Sequence, residues 1–133
     1  MKKVINVVGA IIEDSNKNIL CALRSPIMAL SDLWEFPGGK VEQNESLEDA
    51  VVREIKEELD CIIEPIEIFR ENRHEYERIV VNLITIKCRL LSGIPTKSEH
   101  AALLWLKRSS LNSLKWAPAD MPTVQELIKE GLR

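Results

Sequence analysis

The sequence predicts an α+β fold in which helices cover the faces of a mixed β-sheet. Three observations lead to this prediction. The elements follow the order strands, helix, strands, helix along the chain. The strand-forming runs are rich in Val and Ile and are separated by turn residues. The chain contains no repeat, linker or low-complexity tract, so residues 1–133 are expected to form a single domain with its own core.

The amino-terminal half begins with two predicted strands joined by a turn. Residues 3–13 are rich in Val and Ile and predict a buried strand. Polar residues at 14–18 predict a turn, and residues 19–24 predict the second strand. Residues 25–35 predict a loop, while residues 35–41 combine strand and turn signals around two adjacent glycines. Adjacent glycines indicate tight backbone geometry or the close approach of a ligand.

A central helix is predicted from aliphatic residues that recur near the helical period, namely Leu47, Val51, Ile55 and Leu59. Ser46 is the expected N-cap, and Asp49 follows three residues later in an arrangement similar to a capping box. The helix is expected to end at Leu59. Asp60 would then adopt the left-handed conformation that often follows a helix, which Asp tolerates better than most residues other than Gly.

The carboxy-terminal half contains a predicted hairpin, a strand and a helix. Residues 61–72 and 78–91 are rich in Ile and Val, and residues 74–77 lie between them, so the two segments predict an antiparallel hairpin. A Ser-Gly-Ile-Pro segment ends this pattern. Residues 101–106 predict a further strand, and residues from about 121 to 132 predict the last helix.

The composition is that of an ordinary soluble globular protein, with 45% hydrophobic and 29% charged residues. A net charge of −3 leaves no basic surface for a nucleic-acid polymer, and no apolar run is long enough to span a membrane. The first apolar run ends at Glu13 and Asp14 without a cleavage site, which favours a strand over a signal peptide. The isolated Cys21, Cys61 and Cys88 are expected to be core residues in a reducing compartment, so we expect a cytoplasmic protein.

Three carboxylates lie on one side of the predicted helix. Glu54, Glu57 and Glu58 are spaced i, i+3, i+4, which places them within an arc of roughly 100°. Like charges at these spacings repel each other, and carboxylate oxygens are natural ligands of Mg²⁺ and Mn²⁺. The pattern therefore favours a metal site. The alternative is a solvated helix face, which does not explain why no Lys lies on the same arc.

A fixed spacing surrounds these carboxylates. Gly39 is followed after five residues by Glu45, and seven further residues lead to Arg53 and Glu54. The next positions are Ile55 (aliphatic), Lys56 (any residue), Glu57, Glu58, Leu59 (any residue), Asp60 and Cys61 (small and apolar). This segment resembles the signature of the Nudix hydrolases, from which Asp60 departs because the family has Gly there. The resemblance implies an α/β/α sandwich with a mixed sheet between helices, and hydrolysis of a nucleoside diphosphate linked to another group.

The resemblance also implies roles for the residues of this segment. The expected ligands of Mg²⁺, or of Mn²⁺ in its place, are Glu54, Glu57, Glu58 and the carbonyl of Gly38. Glu54 is the candidate general base, since a ligand beside the metal is within proton-transfer reach of the attacking water. Glu57 and Arg53 complete the expected catalytic set, and Arg53 is expected to pair with a glutamate of the cluster and hold it in place.

A further acid is expected from outside the helix. Glu99 lies six residues before Trp105, where related pyrophosphatases carry a functional glutamate, and it is either a metal ligand or an exposed loop acid. The adjacent His100 is expected to be a surface histidine rather than a ligand. Glu45 is expected to support the junction between the loop and the helix. The less favoured alternative is that it orients a metal ligand without contacting the metal itself.

Two further segments resemble the nucleoside-triphosphate pyrophosphohydrolases of the family, residues 33–42 and residues 116–122. The Ala-Pro-Ala-Asp run in the second is particularly similar to the CTP pyrophosphohydrolases. The expected substrate-binding residues are Arg24, Glu35, Phe36 and Asp120. Phe36 either stacks on the base or packs in the core, and Asp120 either contacts the nucleobase or caps the last helix.

The base that Asp120 would read is left open. A carboxylate can accept a hydrogen bond from the exocyclic amine of cytosine. It can also accept two hydrogen bonds from the N1–H and the amine of an oxidised guanine, as in 8-oxo-dGTP. The geometry of hydrogen bonding favours guanine, whereas the resemblance favours cytosine.

The predicted function is that of an Mg²⁺-dependent nucleoside-triphosphate pyrophosphohydrolase, acting as a monomer or homodimer and releasing a nucleoside monophosphate and pyrophosphate. Two alternatives remain. One is a Nudix hydrolase of another substrate, such as a nucleotide sugar, ADP-ribose or a dinucleoside polyphosphate. The other is a nucleotide sensor without catalytic activity, which the complete set of glutamates disfavours.

Overall fold

A computed structural model describes residues 1–132. One seven-stranded sheet and two α-helices form the framework. In chain order these are β1 (Lys3–Glu13), β2 (Ile19–Leu23), β3 (Trp34–Glu35), β4 (Gly38–Lys40), α1 (Leu47–Leu59), β5 (Ile62–Glu75), β6 (Ile79–Ser92), β7 (Ala102–Leu106) and α2 (Met121–Gly131). Two short 3-10 segments, Arg108–Ser113 and Pro118–Asp120, precede α2.

The sheet is mixed, as the sequence predicts. The strand order is β3-β2-β1-β6-β5, with β4 paired to β1 and β7 paired to β2. Strands β1 and β6 are parallel along the whole of β1, from Lys3 opposite Ile79 to Glu13 opposite Arg89. The other pairs are antiparallel. A parallel pair requires a long crossover connection, which here includes α1 and β5.

The two faces of the sheet are covered by different helices because β1 alternates between them. Val8, Ala10 and Ile12 belong to a buried cluster with the apolar side of α1. Ile11 belongs to a second cluster on the opposite face, together with Leu111, Trp116, Val124 and Leu127 from the segment that leads into and includes α2. This confirms the predicted α/β/α sandwich with a mixed sheet between helices.

Helix α1 begins and ends as predicted. Ser46 is its N-cap, and the Ser46 hydroxyl accepts a hydrogen bond from the backbone N–H of Asp49 at 3.1 Å. Asp60 follows the helix with φ 52° and ψ 44°, which is the left-handed conformation. Lys56, one turn earlier, donates to the Asp60 carboxylate at 2.6 Å. Asp60 therefore takes the conformation for which the Nudix signature has Gly.

Three expectations about local structure need correction. The predicted loop at 25–35 is wrong at its end, because Trp34 and Glu35 form β3. The backbone N–H of Trp34 donates to the Lys115 carbonyl and its carbonyl accepts from Ala117, both at 2.9 Å, and no local pattern shows these partners. The hairpin turn is shorter than predicted, because β5 continues to Glu75. The two 3-10 segments before α2 were not predicted.

The cysteines occupy the positions that the sequence predicts. Cys21, Cys61 and Cys88 are free thiols with 0%, 1% and 2% exposure. Burial raises the pKa of Cys21 and of Cys88 to about 12, so both thiols are inert packing groups. Among residues 1–132, neither helix combines the length and the apolar character needed to cross a bilayer.

Candidate active site

The three carboxylates of α1 occupy different environments. The Glu54 side chain is 15% exposed, whereas the Glu57 side chain is 60% exposed. The Oε2 atom of Glu58 is buried and has no hydrogen-bond partner within residues 1–132. Burial raises the pKa of Glu58 to about 7, and the nearby carboxylates of Glu35 and Glu54 add to the rise. The cluster thus includes a buried acid that lacks a compensating group on one oxygen.

Arg53 connects the signature residues to one another. Its Nε and Nη2 atoms donate to the two oxygens of Glu45 at 2.7 and 2.9 Å, a bidentate pairing. Its Nη1 atom donates to Glu54 at 2.9 Å and to Glu57 at 3.3 Å, and Nη2 also donates to the Lys40 carbonyl at 3.0 Å. Arg53 is therefore the cation that offsets the repulsion among these carboxylates, and it holds Glu54 as the sequence predicts.

Glu45 secures the loop that precedes α1. In addition to Arg53, its carboxylate accepts a hydrogen bond from the backbone N–H of Glu42 at 3.0 Å. The hydrogen bond from Arg53, followed by that from Glu42, lowers the pKa of Glu45 to about 2. Glu45 therefore stays charged and joins the loop to the helix, which is the supporting position expected for it.

The adjacent glycines of β4 lie against the cluster. A Cβ atom on Gly39 would lie 2.3 Å from Oε2 of Glu54, so only Gly allows this carboxylate to rest against the strand. A Cβ atom on Gly38 would lie 1.9 Å from the carbonyl oxygen of Val8 in β1. The Gly38 backbone lies near the Glu58 carboxylate and opposes the rise of the Glu58 pKa. Gly39 thus permits the close approach of the Glu54 carboxylate, and Gly38 permits the close approach of strand β1.

Replacing Gly39 with Ala is expected to lower kcat/KM on the order of 10²-fold, because the added methyl group must displace Glu54 and small misplacements of catalytic groups have effects of this size. Steady-state kinetics on the folded variant would measure the loss. Gly131→Ala is the matched control, since its methyl group meets only the Arg108 side chain, at 3.1 Å. Equal activity of both variants and wild type would show that the position of Glu54 against Gly39 is irrelevant.

The segment that carries Glu99 is fastened to the end of α1. The Ser98 hydroxyl donates to the Glu58 carbonyl and the Thr96 N–H donates to the Leu59 carbonyl, both at 2.9 Å. Glu99 itself is exposed. Within the described range 1–132, no three Asp, Glu, His or Cys side chains already surround one point closely enough to hold a metal. The structure brings the Glu99 segment to the cluster without gathering the Glu99 carboxylate into it.

His100 is not a surface residue, and the prediction that it is one is wrong. It is 5% exposed, and its Nε2 atom lies 2.8 Å from Oε2 of Glu35. The next residue, Ala101, donates its N–H to the Leu23 carbonyl at 2.9 Å, which fixes the backbone so that His100 turns inward. No periodic pattern at 98–101 signals this, because the partners lie on β2, β3 and α1.

Arg24 and Glu35 form a buried pair next to His100. Nη1 of Arg24 donates to Oε1 of Glu35 at 2.6 Å, and Nε of Arg24 donates to the Ala29 carbonyl at 2.5 Å. The Arg24 and Glu35 side chains are 20% and 16% exposed. Glu35 thus lies between a guanidinium and an imidazole, and Arg24 links the strand to the loop after it.

Asp120 lies in the interior near this pair. It is 7% exposed, and its Oδ2 atom accepts a hydrogen bond from the Phe36 backbone N–H at 2.9 Å. Although Asp120 precedes α2, its side chain makes no capping hydrogen bond, so the expectation that it caps the helix is wrong. Burial raises the pKa of Asp120 to about 8, and the hydrogen bond from Phe36 opposes the rise.

The ring of Phe36 lies in the core. It is 3% exposed, and its centroid is 4.8 Å from that of the Trp116 ring. Of the two roles expected for Phe36, base stacking and core packing, the structure shows packing. Phe36 contributes to the site through its backbone N–H, which holds Asp120.

The residues of the cluster fit a divalent metal such as Mg²⁺ or Mn²⁺. The donors are carboxylate and carbonyl oxygens, the ligands that these cations prefer. The unpartnered Oε2 of Glu58 is a buried acceptor that a cation would satisfy. Glu57 is mostly exposed, so its carboxylate is accessible to such a cation from the solvent. Glu54, Glu57, Glu58 and the Gly38 carbonyl are therefore a chemically suitable set.

Comparisons with known proteins agree with this geometry. The family described as NUDIX domain matches residues 3–127. The chain is 37% identical to the CTP pyrophosphohydrolase of Escherichia coli (strain K12) over 92% of this chain and 90% of that protein. It is 31% identical to the 8-oxo-dGTP diphosphatase of the same strain, over 96% of this chain and 98% of that protein. The solution structure of the MutT protein of methicillin-resistant Staphylococcus aureus 252 is 50% identical, with a TM-score of 0.79 and coverage of 98% and 99%.

Proposed function

This chain belongs to the NUDIX domain family, and from that membership we propose that it is a divalent-metal-dependent nucleoside-triphosphate pyrophosphohydrolase, with residues 1–133 as one catalytic domain. Its products would be a nucleoside monophosphate and pyrophosphate. The observation that carries the proposal is the Arg53-centred group of carboxylates on α1, which lies against the adjacent glycines of β4. Nucleotide pool sanitation or pyrimidine nucleotide turnover in the cytoplasm is the role that follows.

The reaction adds water across the anhydride between the α- and β-phosphates. The P–O bond of the anhydride breaks, the water oxygen bonds to phosphorus, and the water gives up its proton. Glu54 is the proposed general base, because its carboxylate is largely shielded and is held at a fixed place by Arg53 and Gly39. Arg53 and Glu57 act with Glu54: Arg53 orients the Glu54 carboxylate, and Glu57 adds a solvent-exposed carboxylate.

The proposed metal ligands are Glu54, Glu57, Glu58 and the Gly38 carbonyl, with Glu99 as a further candidate. Mg²⁺, or Mn²⁺ in its place, supplies the positive charge that neutralises the polyphosphate. Ser98 and Thr96 keep the Glu99 segment on the end of α1, within reach of the cluster. Arg24 and Glu35, which lie beside His100, are the proposed contacts of the nucleotide.

Asp120 is the proposed reader of the base, with Phe36 holding one of its oxygens. A pKa of about 8 keeps the carboxyl protonated near neutral pH, so it offers one donor and one acceptor. Cytosine presents the complementary pair, the N3 acceptor beside the amine donor. An oxidised guanine can present two donors, N1–H and the amine, which require a charged carboxylate. It can also present its opposite edge, where N7–H is a donor and O6 is an acceptor, and this edge fits a protonated carboxyl. A protonated Asp120 therefore fits a cytosine nucleotide through N3 and the amine, and it fits 8-oxo-dGTP through O6 and N7–H, so both nucleotides are candidate substrates.

The Asp120→Ala variant is expected to lose about 1–3 kcal/mol of transition-state binding for the preferred nucleotide and much less for other triphosphates. Asp120→Asn should keep activity on a cytosine nucleotide, since the amide also offers one donor and one acceptor. The measurement is kcat/KM for CTP, dCTP and 8-oxo-dGTP in wild type and both variants. Ratios among these substrates that stay constant in both variants would contradict base reading by Asp120.

A substrate panel tests the proposed function against its alternatives. The panel compares nucleoside triphosphates with nucleotide sugars, ADP-ribose and dinucleoside polyphosphates, all with Mg²⁺. The expected result is the highest kcat/KM on a triphosphate. A nucleotide sugar, ADP-ribose or dinucleoside polyphosphate as the best substrate would contradict the proposed substrate class, and binding without turnover of any of them would indicate a sensor.

A further inference from the structure

The turn that carries Asp120 is held by a distant part of the chain. The backbone N–H of Ala119 donates to the Tyr76 hydroxyl at 3.1 Å, and the Ala119 carbonyl accepts from Nδ2 of Asn72 at 3.1 Å. Tyr76 and Asn72 belong to the β5–β6 hairpin and lie 43 and 47 residues away in sequence. The hairpin therefore binds the backbone on both sides of Ala119, the residue that precedes Asp120.

Nothing in α2 orients the Asp120 side chain. It makes no capping bond, and the hydrogen bond from Phe36 restrains only one carboxyl oxygen. The orientation of the carboxyl therefore also depends on where the backbone of the Pro118–Asp120 turn lies. That backbone is fixed at Ala117 by the bond to the Trp34 carbonyl and at Ala119 by the hairpin.

The two hairpin residues are well placed to hold this turn rigidly. The N–H of Tyr76 donates to the Ile79 carbonyl at 2.8 Å within the hairpin turn, and the Tyr76 carbonyl accepts from Nζ of Lys2 at 2.8 Å. Among the described residues, Oδ1 of Asn72 is buried without a partner, so the bond to the Ala119 carbonyl is the side-chain hydrogen bond that Asn72 makes there.

We propose that Tyr76 and Asn72 are positioning residues for nucleobase selection, because they clamp the peptide groups of Ala119 and thereby fix Asp120 toward the base. The inference rests on the proposed function of Asp120 as base reader. The clamp couples the hairpin to the base site, so that residues without contact to the nucleotide set its selectivity. Removing either bond leaves one Ala119 group unpaired in a buried position and lets the turn move.

The test compares Tyr76→Phe and Asn72→Ala with the control Glu77→Gln. Glu77 lies next to Tyr76 in the same hairpin turn, and its exposed side chain makes no hydrogen bond or ion pair with the residues at 1–132. For each protein, kcat and KM are measured for CTP, 8-oxo-dGTP and UTP. Calorimetry measures the Kd of CMP, 8-oxo-dGMP and UMP without metal, so that base selectivity is also read independently of turnover. Thermal melts confirm that each variant folds.

Tyr76→Phe and Asn72→Ala are each expected to raise KM and Kd for the preferred base about tenfold, with the loss in KM rather than kcat. The preference over UTP and UMP should fall by about the same factor, while Glu77→Gln keeps the wild-type preference. A purely structural role predicts instead a lower melting temperature with selectivity unchanged.

Asp120→Ala, measured in the same series, separates the two hypotheses. If Asp120→Ala abolishes the base preference while Tyr76→Phe and Asn72→Ala keep it, the proposed positioning role of Tyr76 and Asn72 is wrong. Base recognition by Asp120 is then still supported. If Asp120→Ala keeps the base preference in both assays, base recognition by Asp120 is wrong, and the positioning role of Tyr76 and Asn72 is wrong as well.

Discussion

Glu54→Gln is expected to reduce kcat on the order of 10³-fold or more while the fold survives. The amide keeps the shape of the carboxylate and can still accept the hydrogen bond from Arg53, which is 2.9 Å long in the wild type. It cannot take a proton from water, and it is a poorer metal ligand. Loss of base and ligand together should add several kcal/mol to the barrier, and steady-state kinetics with circular dichroism would show both results.

Glu48→Gln is the matched control for this variant. Glu48 lies in the first turn of the same helix and is exposed, so the same chemical change is made outside the cluster. The control should retain wild-type kcat. Full turnover by Glu54→Gln would rule out Glu54 as base and ligand.

Removal of divalent cations by EDTA is expected to stop hydrolysis, and added Mg²⁺ or Mn²⁺ should restore it. The reason is electrostatic. Glu45 already engages Arg53 through both of its oxygens, so little positive charge remains for a polyphosphate that must approach several carboxylates. Activity is measured after chelation and after back-titration, and the expected loss is at least about 10³-fold. Undiminished turnover in EDTA would contradict the metal mechanism.

The same cations should stabilise the fold. A metal bound by the native cluster but not by the unfolded chain adds about 2.7 kcal/mol at 100 times its Kd. The Glu54→Gln variant should gain less, since one ligand is weakened. Melting curves with and without Mg²⁺ measure this effect independently of any substrate. A midpoint that saturating metal leaves unmoved would indicate a solvated face rather than a metal site.

The sequence predicts those features that depend on neighbours along the chain. The stripe from Leu47 to Leu59 determines which side of α1 is buried, and the same periodicity places Glu54, Glu57 and Glu58 together. Ser46 and Asp60 act through their own local conformations, so both ends of the helix were predictable. The pairing of Arg53 with a glutamate of the cluster was expected from the resemblance to the family signature.

The features that escaped prediction depend on contacts between distant segments. The buried His100 ring forms a hydrogen bond with Glu35 of β3, which lies 65 residues away in sequence. The Asp120 carboxyl accepts a hydrogen bond from the backbone N–H of Phe36, which lies 84 residues away in sequence. Asp120 makes this bond instead of the helix-capping bond that its place before α2 suggests. No period or motif encodes such pairs, since they arise only when the sheet has formed.

The most direct test of the central claim is to identify the products formed from CTP and from 8-oxo-dGTP by phosphorus-31 NMR, with the wild-type protein and Mg²⁺. We predict that at least one of the two yields its nucleoside monophosphate and pyrophosphate in equal amounts, and that Glu54→Gln yields neither. A nucleoside diphosphate with orthophosphate, or no hydrolysis of either triphosphate, would contradict the assignment of this protein as a nucleoside-triphosphate pyrophosphohydrolase.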